Sequence, residues 1–159
     1  FKTYGIYQKL SNQTIDRFVK KNRAKFGIEL IETKLIKNIF KNLDNNNSMF
    51  CFVADQTPVA VNKATWINFF GVETPFYNGY AHLAQKINAV ILYASIEPIN
   101  NTHFEIKLKE ITKNSANESI ENIVDGFAKN LEQDIKKQPA YWLWTHRRWK
   151  RADIIYYDK

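Results

Sequence analysis

The sequence is poor in the residues that staple, hinge or break a chain. Its 159 residues include one cysteine, Cys51, which excludes an internal disulfide framework and a cysteine-rich zinc site. Five glycines and four prolines, set against 45% hydrophobic and 14% aromatic residues, exclude the collagen-like, low-complexity and disordered classes. No apolar run approaches the roughly 18–20 residues that cross a bilayer, so neither a transmembrane helix nor a signal peptide is expected. The three histidines, His82, His103 and His146, form no pair at metal-ligand spacing, and there is no glycine-rich phosphate loop. None of them precedes an acidic residue by five positions; Ile87, Leu108 and Arg151 stand there. No nucleophile–base pair can be picked out. The chain starts at Phe1 rather than Met, and the expectation is a piece of something longer.

What is present is enough for one domain with a core, or for half of a larger one. The net charge of +7 is unevenly spread. Residues 1–50 hold ten basic and four acidic side chains, residues 51–139 eight and ten, and residues 140–159 five and two. Cationic ends around a near-neutral middle suggest a basic surface facing an anionic partner. Phosphate-bearing lipid, an anionic membrane and nucleic acid all fit.

Along the chain, strands and helices alternate without a repeat or a long linker. A strand around Tyr4–Tyr7 leads to a helix capped by Ser11 or Asn12, whose apolar face holds Ile15, Phe18, Val19 and Phe26 and which stops at Gly27. Ile28, Leu30 and Ile31 read as a short strand, and Thr33 caps a further helix carrying Leu35, Ile36, Ile39, Phe40 and Leu43. A polar turn over 44–48 precedes Met49–Ala54, an unbroken apolar run that reads as a strand covered on both faces. Thr65–Phe69 is extended, Gly71 turns the chain, and Phe76, Tyr80, Leu83, Ala84 and Ile87 share one helical face. Ala89–Ile96 reads as another buried strand, and Phe104, Ile106 and Leu108 alternate with charges as a half-exposed one. A last helix over Glu118–Lys137 ends at Pro139. The pattern predicts an α/β fold, a mixed central sheet flanked by helices.

Three features carry candidate chemistry. Asp55-Gln56 directly follows the apolar run, where α/β sheets gather ligand contacts; an Asx-turn would place an aspartate there equally well. Arg23 lies late in the first helix among Lys20, Lys21 and Lys25, where a guanidinium can grip phosphate with two donors or simply favour the helix C-terminus. The stretch 141–151 interleaves Trp142, Trp144 and Trp149 with Arg147, Arg148, Lys150 and Arg151. It suits stacking on single-stranded nucleic acid, or a membrane interface with indoles at headgroup depth, or plain covering of a sheet edge. Arg147 and Arg148 are its candidate contacts to an anionic partner.

These motifs follow one another in a familiar order. Tyr4-Gly5-Ile6-Tyr7 through Asn12, Arg23 with Phe26-Gly27, Asp55-Gln56, Phe69-Phe70-Gly71, Leu83-Ala84 and the run from Pro139 to Trp149 together resemble the bacterial lipid A late acyltransferases of lauroyl- and myristoyl-transferase type. That family is related to the glycerol-phosphate acyltransferases. The resemblance spans roughly residues 4–150, and the tryptophan–arginine ending is its most specific part. It implies an O-acyltransferase at the cytoplasmic face of the bacterial inner membrane. An acyl thioester on acyl carrier protein would be the co-substrate, with no other cofactor and no metal. The acceptor would be an anionic glycolipid or aminolipid, and no nucleic acid is expected as a partner.

In that family a His-four residues-Asp/Glu motif upstream of the Tyr-Gly-Ile-Tyr region supplies the general base. This sequence holds no such motif, so the resemblance implies that 1–159 is the C-terminal part of one acyltransferase domain, inactive by itself. Arg23 matches the arginine that contacts substrate phosphate, and Asp55, 32 residues further on, matches the family's aspartate, with Gln56 as a neighbouring contact. Gln8-Lys9 stand where the family often has Arg-Pro, and Thr57-Pro58-Val59 replaces a glycine-rich stretch. Those departures bear on the acceptor more than on the reaction. A non-catalytic basic and aromatic nucleic-acid-binding module remains the rival reading.

Overall fold

Two amide-capping asparagine and serine side chains, two left-handed glycines and one proline punctuate the chain in a computed structural model that describes residues 2–36, 40 and 47–151. The chain divides into two compact units, Phe1–Val53 and Ala54–Lys159.

In the first unit, β1 (Lys2–Tyr7) is the middle strand of a parallel sheet in the order β2-β1-β3, with β2 at Glu29–Glu32 and β3 at Ser48–Cys51. Tyr4 pairs with Glu29 on one side and Phe50 on the other. Parallel neighbours need a long return, and helix α1 (Gln13–Arg23) supplies it between β1 and β2. Asn12 caps α1, its side-chain oxygen accepting from the Thr14 and Ile15 amides at 3.0 and 3.2 Å. A short turn, Ala24–Phe26, follows, and Gly27 at φ 85° ends it. Tyr4, Ile6, Ile31, Ile36 and Phe40 form the core, with Tyr4 stacked on Phe50 at 5.3 Å.

The sequence expectation for α1 is reversed here. Ile15, Phe18 and Phe26 are 51%, 68% and 86% exposed, while Asp16 is buried. Asp16 accepts the Leu10 amide at 2.9 Å and pairs with Lys20, which also reaches Glu32 and lies over the Tyr7 ring. Ionic and hydrogen-bonding contacts therefore turn the polar side of α1 inward. The run Met49–Ala54 also differs from its reading: the strand stops at Cys51, lies at the edge of the sheet order, and leaves Met49 and Val53 exposed. Met49, Cys51 and Val53 are exposed while Phe50 and Phe52 between them are half-buried, so the apolar run is covered on one face and not on both. The helix expected from Thr33 to Leu43 and the turn over 44–48 lie largely outside the described residues.

In the second unit, β4 (Thr65–Phe69) and β5 (Val72–Phe76) form an antiparallel hairpin. Phe70 and Gly71 both have positive φ, 55° and 79°, the backbone signature of a tight two-residue hairpin turn. Helix α2 (Gly79–Ile87) follows, beginning later than its apolar periodicity suggests because Phe76 still belongs to β5. A second hairpin pairs β6 (Ile91–Pro98) with β7 (Phe104–Thr112). Helix α3 (Ile120–Lys137), capped by Ser119 on the Asn122 amide, packs Ile123, Val124, Ala128, Leu131 and Ile135 inward. Phe127 of α3 meets Phe76, Tyr80 and Tyr93 with ring centroids 5.5–6.2 Å apart.

One face of β6 carries the buried Ile91, Tyr93 and Ser95, in the alternation of a half-covered strand rather than a doubly covered one. Phe104, Ile106 and Leu108 of β7, the expected inward side, are all exposed. The α/β class stands, with parallel pairing in the first unit and antiparallel pairing in the second. The described strands are distributed over three small sheets.

Candidate functional site

The loop that carries Asp55 is held by the tryptophan–arginine segment, two stretches about ninety positions apart in sequence. The Thr57 amide donates to His146 Nε2 at 3.1 Å, and the Thr57 hydroxyl donates to the Arg148 carbonyl at 2.9 Å. Two residues on, Arg151 Nη1 donates to the Val59 carbonyl at 2.6 Å. Four residues of loop beyond Asp55 are thus fastened at two points. Asp55 itself is half-buried and Gln56 is exposed.

The fastening segment is anchored in turn by Arg148 and Trp149. The Arg148 side chain is 1% exposed; its Nη2 donates to the Pro75 carbonyl at 2.9 Å and its guanidinium lies 4.2 Å from the Phe76 ring centroid. Among the described residues Nε and Nη1, both buried, have no hydrogen-bond partner. Burial pushes the Arg148 pKa down to about 10, and the nearby Asp55 charge acts the other way. Trp149 stacks on Phe69 at 5.9 Å and meets Phe70 edge-on at 6.2 Å. These two residues belong to the packing of the segment. Arg148, expected to contact an anionic partner, is enclosed because its planar cation is stacked on aromatic rings and held by a backbone carbonyl. Arg147, Tyr141, Leu143 and Trp144 are exposed.

Tyr93 completes the surroundings of Asp55. Its hydroxyl donates to Asp134 Oδ2 on α3 at 2.8 Å. Burial raises the Tyr93 pKa, and the negative charges of Asp134 and Asp55 raise it further, so this phenol stays protonated as a donor. Sequence reading did not single out Tyr93 or Asp134, and it foresaw no contact of His146 or Arg151 with the Asp55 loop. Asp134 was the more findable of the first two, as a carboxylate beside the inward positions Leu131 and Ile135.

Arg23 ends α1 in the first unit, exposed, and its side chain makes no hydrogen bond or ion pair among the described residues. Asp55 belongs to the second unit. His82 is exposed on α2, although its helix neighbours Leu83 and Ala84 are buried, and His103 joins Asn100 and Thr102 in the exposed β6–β7 turn. His146 accepts a backbone amide through Nε2, which occupies the nitrogen a general base would use. Among the described residues there is no group of three His, Cys, Asp or Glu that could hold a metal ion, and no helix is long and apolar enough to cross a membrane.

Comparison with protein families places these observations in an acyltransferase class. The model of the bacterial lipid A biosynthesis acyltransferases matches residues 2–151, and the chain belongs to that family. Acyl transfer in lipid A biosynthesis is the activity the family implies. Comparison with curated proteins gives no match.

Proposed function

We propose that the protein serves an O-acyl transfer from an acyl thioester, carried by acyl carrier protein, to a hydroxyl of a lipid A precursor or related anionic glycolipid or aminolipid. The family match over residues 2–151 carries this reading. The reaction would run at the cytoplasmic face of the bacterial inner membrane, with no cofactor beyond the thioester. A general base takes the acceptor hydroxyl proton, and the oxygen attacks the thioester carbonyl carbon. Donors stabilise the tetrahedral oxyanion, the carbon–sulfur bond breaks, and the thiolate leaves and is protonated.

In this reading Arg23, exposed at the end of α1, grips a phosphate of the acceptor with its fork of donors. Asp55 orients the acceptor from its fastened loop, and Gln56 and Arg147 are accessory contacts. None of the three histidines stands five positions before an acidic residue, so the base is assigned to a residue outside 1–159, and these 159 residues alone are inactive.

The test is acyl transfer by the complete enzyme carrying Arg23→Ala or Asp55→Ala. Each should lower kcat/KM at least about tenfold, or about 1.4 kcal/mol in the barrier. Full activity in both folded variants would refute the site assignment.

A further inference from the structure

We infer that Arg148, from inside the second unit, is the countercharge of Asp55 and a positioning residue for the acceptor contact on that loop. The inference deepens the proposed role of Asp55 and rests on it for the acceptor. Three observations meet at this residue. Its side chain is 1% exposed, Nη2 donates to the Pro75 carbonyl, and among the described residues Nε and Nη1 have no hydrogen-bond partner. Its backbone carbonyl accepts the Thr57 hydroxyl at 2.9 Å, so the loop is fastened to the very residue that carries the buried charge. Asp55 stands half-buried two positions before Thr57.

Packing alone does not account for a guanidinium in that place. Desolvating a cation is costly, and an apolar side chain of similar volume commonly fills a core as well or better. The ring faces of Phe76 and Phe69, 4.2 and 5.9 Å away, offset part of the cost. Burial lowers the Arg148 pKa, and the charge that opposes this is that of Asp55. No salt bridge joins the two among the described residues; the cation acts on the carboxylate through its field, which an enclosed site screens little. Tyr93 on β6 senses the Asp55 charge as well, and Asp134 on α3 brings a second carboxylate to that phenol. The Arg148 cation balances the negative charge that gathers there. Its enclosure is made by Phe69, Pro75 and Phe76 of the same unit, which leaves other parts of an acyltransferase domain little access to it.

Two double-mutant cycles test the inference. Urea melts of the chain read the pairing without turnover. Asp55→Asn should lower the unfolding midpoint of the parent, where it strands a buried charge, and leave that of Arg148→Met unchanged. Repeating the cycle in the complete enzyme shows whether another part of the domain has taken over Nε and Nη1. Acyl transfer by the complete enzyme then reads the positioning. Arg148→Met should lower kcat/KM at least about tenfold and add no further loss to Asp55→Asn. Arg148→Lys, which keeps a cation, should retain at least about threefold more activity than Arg148→Met, whereas a packing role requires the reverse order.

An equal loss of stability from Asp55→Asn in both backgrounds would overturn the inference, as would an Arg148→Met enzyme with parental kcat/KM or with more activity than Arg148→Lys. Coupling present in the chain and absent from the complete enzyme would overturn it too, since the guanidinium would then belong to a partner elsewhere in the domain. Full activity of Asp55→Asn with the stability coupling intact would refute the acceptor role of Asp55, a failure of the proposed function, while upholding the charge pairing.

Discussion

Helices α1 and α3 are both amphipathic, yet they bury opposite kinds of face. α3 turns Ile123, Val124, Leu131 and Ile135 inward, where Phe127 also meets aromatic rings from β5, α2 and β6. α1 turns Asp16 and Lys20 inward, against a backbone amide, a carboxylate and the face of Tyr7, and leaves Ile15 and Phe18 in solvent. The contrast shows what helical periodicity contains. It establishes that a stripe exists; the partner decides which side is covered. In the second unit that partner is a set of apolar faces needing cover, and the hydrophobic effect selects the orientation. In the first, a buried carboxylate with a fixed amide donor competes with the stripe and sets it.

The largest expected effect separates the two helices by stability. Ile123→Ala, at a position with no exposure, should lower the unfolding free energy by about 3 kcal/mol. Phe18→Ser should change it by no more than about 0.5 kcal/mol. Urea melts of both variants measure this, and equal losses would break the comparison.

A smaller effect concerns the fastened loop of the second unit. His146→Ala removes the acceptor of the Thr57 amide and should cost about 1 kcal/mol, with faster hydrogen exchange at that amide. His146→Gln places an amide oxygen near the position of Nε2 and should restore much of the protection. Unaltered exchange at Thr57 in His146→Ala would show that the histidine does not hold the loop.

The smallest effect is a pH dependence confined to α1. The Leu10 amide, chiefly, and Lys20 hold the Asp16 carboxyl below its ordinary value of 3.8. A depressed carboxyl stabilises the fold fully above its unfolded pKa, and that contribution disappears as the pH falls through the folded value. Acidification below about pH 3.8 should therefore raise exchange in α1 before α3, which is held chiefly by the apolar Ile123, Val124, Leu131 and Ile135. Asp16→Asn should remove that ordering. Simultaneous loosening of both helices in the parent chain would count against an ionic anchor.

Much of the local punctuation was readable from the residues. Asn12 caps α1, Gly27 stops the turn after it, Gly71 turns the first hairpin, and Pro139 follows α3, because each depends on a side chain and a backbone angle within a few positions. Strand β5 was missed: Val72–Phe76 contains Pro75 and lacks clean alternation, and only its pairing with β4 makes it a strand. Asp55 stood out by following an apolar run. The contacts of His146 and Arg151 did not, because their partners Thr57 and Val59 lie 89 and 92 positions away. Arg148 looked like a surface cation, and Phe69, Phe76 and the Pro75 carbonyl make it an interior one.

Composition, caps, turns and the order of motifs determined by themselves the α/β class, the family and the residues where chemistry was worth seeking, since these are short-range or compositional properties. Which apolar stripe is covered, which arginine is enclosed and what holds the Asp55 loop were decided only in the tertiary structure. Burial and fastening depend on atoms far apart in the chain, and an uncovered stripe and a covered one are spelled with the same periodicity.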